Sequence, residues 1–399
     1  MTGYQPRNRW GDAGRNAILF AVAAAASIGC CTAARAGEVR ARPYGTTQDG
    51  RAVTAYTLFN DTGASATILD FGGTIAEIRV PDRNGELGNV VMSFADLAGW
   101  EAVGHANANI GRYANRIRGG VTLDQVHYPL QQNGSGITLH GGPPVYSTRT
   151  WVAAPVRQED GATVTLSLDS PDGDQGFPGV VKIQATYRLS DDNSLSLEFR
   201  ATTDRTTVIN LTNHIYFNLN GNSTSSVYTQ KLALAADRVA VKDEAGMPTG
   251  ELKPVAGTLL DLGEPSPVIQ LVAAARDPAF AAPRPAGNSP AAGQLRSFDH
   301  SFVFPAEHAG LQEVAARLVD DASGRIMELR TTEPSIQVFV PGARTGVLSD
   351  VNKPFRVGPA IALETQHLPD SPNQPRFPST VLRPGEVFET TTVWSFSTQ

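Results

Sequence analysis

The stretch that decides the fold spans residues 181–199 and reads VKIQATYRLSDDNSLSLEF. Apolar and polar residues alternate on both sides of a polar segment at residues 190–193. Alternation with a period of two puts the apolar side chains on one face of a strand, and a short polar segment between two such runs indicates a β-hairpin. The stretch therefore predicts two antiparallel strands that share one buried face. That face is formed by Ile183, Ala185, Tyr187 and Leu189 before the turn, and by Leu195, Leu197 and Phe199 after it.

The same pattern extends over nearly the whole chain from residue 39 onward. Turn residues, drawn from 38 Gly and 27 Pro among others, separate the short β-rich runs, and only residues 311–318 predict a short helix. We predict an all-β fold, a large antiparallel β-sandwich in one domain covering residues 37–399. We interpret the Ala/Pro/Gly-rich segment 273–294 as a surface excursion rather than a linker. The clearest further runs lie at residues 54–58, 66–69, 74–80, 162–168, 329–340 and 387–396.

The first 36 residues predict a signal peptide. Three arginines form a positively charged n-region, residues 17–28 are apolar but too few to span a membrane, and Ala-Arg-Ala at 34–36 fits a cleavage site. An alternative is a lipoprotein signal acylated at Cys30, although Ser27 stands where such signals usually carry Leu. Both cysteines lie in this leader, so the mature chain has no thiol and no disulfide. We expect an exported protein, periplasmic or secreted.

The composition and the motifs exclude several classes of function. With 41% hydrophobic and 18% charged residues the chain can bury a large core. The net charge is −6, and the sequence has no block of like charges. We therefore expect neither nucleic acid nor an anionic membrane as a partner. The sequence has no P-loop, no Gly-x-Gly-x-x-Gly after a strand, no His-Glu-x-x-His and no Gly-x-Ser-x-Gly. His140 and His214 are 74 residues apart and the mature chain has no Cys ligand, so a zinc site is possible but unsupported, and we predict no metal site.

Four clusters place polar side chains among apolar or turn residues. Asn115 and Arg116 are adjacent, and an amide beside a guanidinium can hold neighbouring hydroxyls. His140 precedes two glycines and two prolines on a rigid turn, whereas His214 lies among apolar residues, where neighbouring amides would hold one tautomer. Asp299 is flanked by aromatic residues, which suit a sugar whose hydroxyls bind the acid. Taken singly, each cluster has a plain alternative: an Arg salt bridge, a surface His, a core His or an Asp-His turn.

One carboxylate stands out later in the chain. The apolar run 361–363 ends at Glu364, and a segment with five prolines follows, too rigid for a helix. On residue types alone, the alternative is a solvated carboxylate at the end of a strand. Together with the four clusters, the set amounts to one acid, two histidines and several amides. This is typical of general acid–base chemistry on a neutral, hydroxylated ligand.

Taken together, these stretches resemble a known family. GRYANRI (111–117), LHGG (139–142), TNHIYFNL (212–219), FDH (298–300) and LETQHLPDSPNQPRFPSTVLRPGE (363–386) are similar, in this order, to the aldose 1-epimerase (galactose mutarotase) family. The resemblance covers roughly residues 45–396. It implies a galactose-mutarotase-like β-sandwich that interconverts the α and β anomers of free aldohexoses without a cofactor.

The resemblance also implies a role for each matching residue. Glu364 would act as the general base on the anomeric hydroxyl, His214 as the general acid on the ring oxygen, and His140 would bind near that oxygen. Because the pair requires ionised Glu364 and protonated His214, we expect a bell-shaped pH dependence near neutrality. The residues that would hold the sugar hydroxyls are Asn115, Arg116, Asp299 and Gln337.

The chain departs from the family pattern at three places. Ile215 stands where the family more often has a small or hydroxyl residue, Ala343 follows Gly342 where Asn is common, and segment 273–294 has no evident counterpart. The preferred aldose and the oligomeric state therefore stay open. Three other functions also stay open: a non-catalytic carbohydrate-binding module, a hexose-6-phosphate epimerase with extra cationic groups, and a polysaccharide lyase or hydrolase. The last usually needs two carboxylates across the scissile bond.

Overall fold

Antiparallel strands make up most of the regular secondary structure in the described part of the chain. The computed structural model describes Met1 and residues 37–399, apart from residues 135, 159–160, 222–225, 276–296 and 342–359. The predicted signal peptide with Cys30, nearly all of segment 273–294 and Ala343 lie outside the described residues. No helix in the described ranges combines the length and the apolar character needed to cross a membrane.

In chain order the strands are β1 (Glu38–Thr46), β2 (Ala52–Phe59), β3 (Ser65–Leu69), β4 (Ile75–Pro81), β5 (Leu87–Asn89), β6 (Asn109–Ile110), β7 (Arg116–Arg118), β8 (Val121–Leu123), β9 (Val126–Tyr128), β10 (Ile137–Leu139), β11 (Val152–Gln158), β12 (Gly161–Ser170), β13 (Val181–Ser190), β14 (Ser194–Thr203), β15 (Thr207–Val208), β16 (Thr212–Asn213), β17 (Tyr216–Phe217), β18 (Lys231–Leu234), β19 (Arg238–Lys242), β20 (Pro248–Pro254), β21 (Ser266–Pro267), β22 (Phe298–Val303), β23 (Ala316–Val319), β24 (Arg325–Thr331), β25 (Ser335–Val340), β26 (Ile361–Gln366), β27 (Val381–Leu382) and β28 (Phe388–Thr398). The α-helices are α1 (Leu97–Val103) and α2 (Ile269–Ala274), and 3₁₀ turns occur at Tyr146–Thr148, Asp174–Gly176, Val227–Thr229, Gly310–Gln312 and Ser371–Asn373.

Three large sheets form the body of the fold. Their spatial orders are β1-β2-β3-β4-β5, β11-β12-β13-β14-β28-β24-β23-β18-β21, and β17-β26-β25-β22-β19-β20. Buried apolar residues from all three sheets form one continuous core, which packs the sheets against each other. Four two-stranded pairs, β10-β7, β15-β27, β16-β6 and β8-β9, complete the described strands. The predicted all-β sandwich is confirmed.

Strands β13 and β14 form the hairpin predicted from residues 181–199. Leu189 pairs with Leu195 and Tyr187 pairs with Leu197, and all four side chains are buried. The connecting loop is residues 191–193, one residue shorter than predicted, because Ser190 still belongs to β13. The observed register keeps every apolar side chain of the pattern on the buried face, and a slip by one residue would expose them all.

The short helix predicted at residues 311–318 is wrong. Gly310–Gln312 makes a single 3₁₀ turn, and Ala316–Val319 is strand β23. Leu318 is fully buried and pairs with Met327 of β24. Pairing between β23 and its neighbours thus outweighed the helical spacing of these apolar residues, which is a weak local preference.

The six-stranded sheet places Glu364 in the middle of a strand. Ile361 and Leu363 of β26 point into the core, so Glu364 points to the opposite face of the sheet. The interpretation of Glu364 as a strand end is wrong, because β26 continues to Gln366, which pairs with Ser335 of β25. Pairing with Gln337 of β25 therefore holds the backbone of Glu364 more rigidly than a loop would.

Candidate active site

Strand register gathers several candidate residues on one face of the six-stranded sheet. Gln337 of β25 pairs with Ser301 of β22 on one side and with Glu364 of β26 on the other. Asp299 lies two residues before Ser301, and alternate residues of a strand share a face. The polar residues of these strands therefore lie together on the face away from the core, because apolar residues occupy the positions between them.

An open cavity of about 150 Å³ lies on this face. That volume is roughly ten times the minimum for one water molecule, so the cavity admits a small organic ligand. Six of the seven predicted site residues line it, and Gln337 does not. The described residues of the lining are His105, Asn115, Arg116, Leu139, His140, His214, Tyr216, Asp299, Phe339 and Glu364.

Two catalytic candidates form a buried pair. His214 Nε2 lies 3.4 Å from Glu364 Oε1, and their side chains are only 6% and 2% exposed. Glu364 Oε2 and His214 Nδ1 are buried without a hydrogen-bond partner among the described residues. The prediction that neighbouring amides hold the His214 ring is wrong, because Asn213 donates to Asn109 instead. Buried polar atoms without partners are rare, so these two need a functional explanation.

Burial shifts the pKa values of this pair in opposite directions. It raises the pKa of Glu364 well above its ordinary value of 4.5, an effect increased by Asp299 and reduced by Arg116. Burial also lowers the pKa of His214 well below 6.5, and the neighbouring rings of His105 and His140 add to this effect. Each group therefore favours its neutral form, and the pair shares one proton over a wide pH range.

Asp299 is the anchor at one end of the cavity. Arg116 Nη1 lies 3.3 Å from Asp299 Oδ2 and donates to Asn115 Oδ1 at 3.0 Å. Lys242 Nζ donates to the Asp299 carbonyl oxygen and lies 3.6 Å from Oδ2. Although burial opposes ionisation, Lys242 and Arg116 hold the pKa of Asp299 below its usual range. Asp299 is thus a permanent anion whose neighbours offer both donors and acceptors.

Gln337 supports Asp299 from behind rather than lining the cavity. Its Nε2 donates to Asp299 Oδ1, and its Oε1 accepts from the Ser301 hydroxyl. Its side chain is buried at 1% exposure. Gln337 therefore lies just behind the described lining of the cavity, and its contact with a sugar hydroxyl stays a prediction.

The His140 turn is shaped by glycine and held by a glutamine. His140 has a φ of 54° and Gly141 a φ of 86°, and a Cβ on Gly141 would lie 2.3 Å from the Gly111 carbonyl oxygen. Gln175 Nε2 donates to the Gly142 carbonyl at 2.8 Å. The backbone N–H of Asn115 donates to His140 Nδ1 at 3.2 Å, so the proton of the neutral ring sits on Nε2. Burial lowers the pKa of His140 to about 3, with help from His105 and Arg116.

Sequence reasoning missed three residues at or beside the cavity. His105 lies 5.0 Å from His214 between ring centroids, and nothing in its sequence context distinguishes it from a surface histidine. Tyr216 stacks on His214 at 4.9 Å, although sequence analysis treated it as an apolar neighbour. Lys242 comes from β19, and no motif links it to Asp299. Only strand pairing across the six-stranded sheet brings these two together.

The arrangement combines a proton-sharing pair with groups that bind hydroxyls. Neutral and ionised donors and acceptors face one small cavity, which suits a polar, uncharged ligand that gains and loses protons. Within the described ranges, no three His, Cys, Asp or Glu side chains are grouped so that they could hold a metal ion.

Comparison with known proteins gives matches over most of the chain. Residues 54–395 match the family model described as aldose 1-epimerase. The chain is 36% identical over 353 residues to a galactose mutarotase of Rattus norvegicus, covering 87% of this chain and 95% of the relative. It is 34% identical over 352 residues to an aldose 1-epimerase of Escherichia coli (strain K12), with 87% and 96% covered. The solved structure of a GalM/aldose epimerase homologue from C. elegans superposes with a TM-score of 0.71 at 27% identity, covering 86% of this chain and 98% of that chain.

Proposed function

The chain belongs to the aldose 1-epimerase family, a family of isomerases, and from this membership we propose that it interconverts the α and β anomers of free aldohexoses of the glucose or galactose type. The observation that carries the proposal is the His214–Glu364 pair, which faces the cavity at 3.4 Å with unpartnered polar atoms. A protein that only bound sugar would have no use for such a pair, because burying unpartnered polar groups costs stability.

In the proposed reaction, Glu364 removes the proton from the anomeric O1 while His214 delivers a proton to the ring oxygen O5. The C1–O5 bond breaks and the C1–O1 bond becomes the aldehyde double bond. Rotation about C1–C2 presents the other face of the aldehyde, and both protons then return along the same paths. Each positioned acid or base typically contributes about 10²–10⁴ in rate.

The protonation states of Glu364 and His214 before and after ring opening explain why the pair is buried. The closed-ring complex needs ionised Glu364 and protonated His214, whereas the open-chain complex has neutral Glu364 and neutral His214. Burial favours the neutral form of both groups. It therefore lowers the free energy of the open-chain complex relative to the closed-ring complex, which supports ring opening.

The remaining lining residues are proposed to hold the sugar. Asn115, Arg116 and Asp299 would bind hydroxyls, since they offer amide, guanidinium and carboxylate groups side by side. His140 would donate from Nε2 near the ring oxygen, because its Nδ1 already accepts from the backbone N–H of Asn115. Gln337 would act indirectly by fixing the Asp299 carboxylate.

A polysaccharide hydrolase is less well supported. Glu364 and Asp299 do have pKa values shifted in opposite directions, as an acid and a nucleophile would. However, Asp299 Oδ1 accepts from Gln337 and Oδ2 lies beside Arg116 and Lys242, so these contacts stabilise the carboxylate charge and make Asp299 a weaker nucleophile.

Polarimetry of freshly dissolved α-D-galactose and α-D-glucose tests the proposal. Wild-type protein is expected to accelerate the approach to equilibrium over buffer, and Glu364→Gln should reduce that acceleration by about 10²–10⁴. The matched control is Glu333→Gln, another buried glutamate beside a histidine, which lies outside the cavity. No acceleration by pure wild type would overturn the proposed function. Full activity of Glu364→Gln would overturn the assigned base.

We also propose that residues 1–36 are a signal peptide that directs export to the periplasm or the medium. Edman sequencing or intact-mass analysis of the processed protein should give a mature start at Gly37. An acylated Cys30 at the amino terminus would instead favour the lipoprotein alternative.

A further inference from the structure

His105 is a third imidazole in the cavity. It follows Gly104, which ends α1 in the left-handed conformation at φ 75° and turns the chain toward the cavity. The His105 ring centroid lies 5.0 Å from that of His214 and 6.1 Å from that of His140. Neither the acid–base pair nor the hydroxyl-binding group at Asp299 accounts for this side chain.

The backbone next to His105 is fixed to the strand segment that carries His214. Asn107 donates its backbone N–H to the His214 carbonyl at 2.9 Å, and its Oδ1 accepts the Tyr216 N–H at 2.8 Å. Asn107 Nδ2 also donates to the Ile75 and Met92 carbonyls. His105 is therefore held in place relative to His214, as a ligand-contacting group should be.

Strand order places His105 at the end of the cavity opposite to Asp299. Asp299 lies on β22, which is followed across the sheet by β25, by β26 with Glu364, and by β17. The segment that leads into β17 carries His214 and pairs with β6, the segment that His105 precedes. Neighbouring strands are about 4.8 Å apart. The order across the cavity is thus Asp299, Glu364, His214, His105.

This order fixes which end of the sugar meets His105. In the proposed function, on which this inference rests, O1 lies at Glu364 and O5 at His214. Beyond O5 the pyranose ring continues to C5 and its exocyclic C6, whereas beyond C1 it continues to C2 and C3. The direction from Glu364 to His214 leads toward His105, and the reverse direction leads toward Asp299. We propose that His105 hydrogen-bonds the C6 hydroxyl and makes the site selective for aldohexoses over sugars that lack this group.

The chemistry of the His105 side chain agrees with this assignment. A neutral imidazole offers one donor and one acceptor, which matches a hydroxyl. Burial lowers the pKa of His105 below 6.5, so the ring stays neutral at neutral pH. A site built to hydrogen-bond a hydroxyl discriminates against the analogue that lacks it, because its own polar groups then lose a partner.

The test compares D-galactose with D-fucose, its 6-deoxy analogue, and with L-arabinose, which lacks C6 but keeps the same ring stereochemistry. For wild type, kcat/KM for D-galactose should exceed that for D-fucose by roughly 3- to 10-fold, the value of one neutral hydrogen bond. His105→Phe, which keeps a ring without polar atoms, should reduce this ratio toward one. His105→Gln, which restores a donor and an acceptor, should recover part of it. The matched control is His127→Phe, an exposed histidine of β9, which should leave the ratio unchanged.

The outcomes separate this inference from the proposed function. If wild type accelerates none of the three sugars, the proposed function fails and His105 loses its assigned role with it. If wild type accelerates them all with equal kcat/KM, or if His105→Phe keeps the wild-type ratio, only the His105 assignment is overturned. The wild-type ratio needs no variant, so the inference can be refuted even where a variant fails to fold.

Discussion

Two histidine–glutamate pairs in this protein differ in what their atoms are free to do. His367 Nδ1 lies 2.7 Å from Glu333 Oε2, and its side chain is 21% exposed. His214 Nε2 lies 3.4 Å from Glu364 Oε1, with both side chains almost fully buried. Glu364 and His367 are separated by only two residues, so proximity in sequence does not explain the difference.

The His214–Glu364 pair, which is the catalytic candidate, has fewer hydrogen-bond partners in the described part of the chain than the His367–Glu333 pair. His367 and Glu333 make a close contact, and the His367 backbone forms two further hydrogen bonds with Asn210. Glu364 and His214 each keep a buried polar atom without a partner in the described part of the chain. Polar groups held in place without partners are ready to interact with a ligand as charge develops in the transition state.

The largest difference should appear in catalysis. His214→Gln removes the proposed acid and should lower kcat by about 10²–10⁴, because an amide cannot deliver a proton to the ring oxygen. His367→Gln should cause a far smaller loss, since the described residues that line the catalytic cavity do not include His367. Both variants are assayed by polarimetry after correction for mutarotation in buffer alone. Equal losses in the two variants would remove the distinction between the pairs.

The next difference concerns pH. Activity of the free enzyme requires one proton on the His214–Glu364 pair. The directions in which burial shifts the two pKa values therefore set the pH range in which the enzyme is active. The acid limb should lie below pH 6.5, because burial lowers the pKa of His214, and the alkaline limb above pH 4.5, because burial raises the pKa of Glu364. The profile should be a bell between these two limbs, and each limb should approach tenfold per pH unit.

Profiles of kcat/KM against pH for wild type and for Glu333→Gln check this prediction. The acid and alkaline limbs should lie at the same pH in the two proteins, since Glu333 is not part of the catalytic pair. An acid limb with an apparent pKa at or above 6.5 would contradict the effect of burial on His214. A limb that moved in Glu333→Gln would show that the two pairs are coupled.

Much of the fold was predictable because the relevant signals are local. The alternation in residues 181–199 predicted both strands of the hairpin and the face that each of them buries, since the apolar residues recur at every second position. The helix at residues 311–318 was a wrong prediction, because Leu318 pairs on one side with Met327 of β24 and on the other with Leu232 of β18, and the second partner lies far away in sequence. Helix α1 went unpredicted, although Asp96 caps its start and Gly104 its end. Such caps are visible in sequence, but seven residues are too few for a clear apolar period.

The candidate catalytic residues of the site were predictable, because their residue types and neighbouring sequence indicate acid–base chemistry. Glu364 and His214 belong to stretches that resemble a family, and the structure brings them within 3.4 Å. Lys242, by contrast, supports Asp299 through contacts that depend on how β19 and β22 pair, and no local pattern reports that. The same holds for Gln337, whose burial behind Asp299 follows from strand register rather than from its own neighbours.

The smallest and sharpest difference concerns stability. Glu364 has a raised pKa in the folded protein, so above pH 4.5 the folded state binds more protons than the unfolded state and loses stability as pH rises. Glu364→Gln removes this cost and should raise the free energy of unfolding at pH 7.5, a gain that disappears near pH 4.5. Glu333→Gln should instead lower it by about 1–3 kcal/mol, because it breaks the contact with His367. Urea unfolding of both variants at the two pH values measures these changes, and a loss of stability in Glu364→Gln at pH 7.5 would mean that the buried carboxylate supports the fold as well as the reaction.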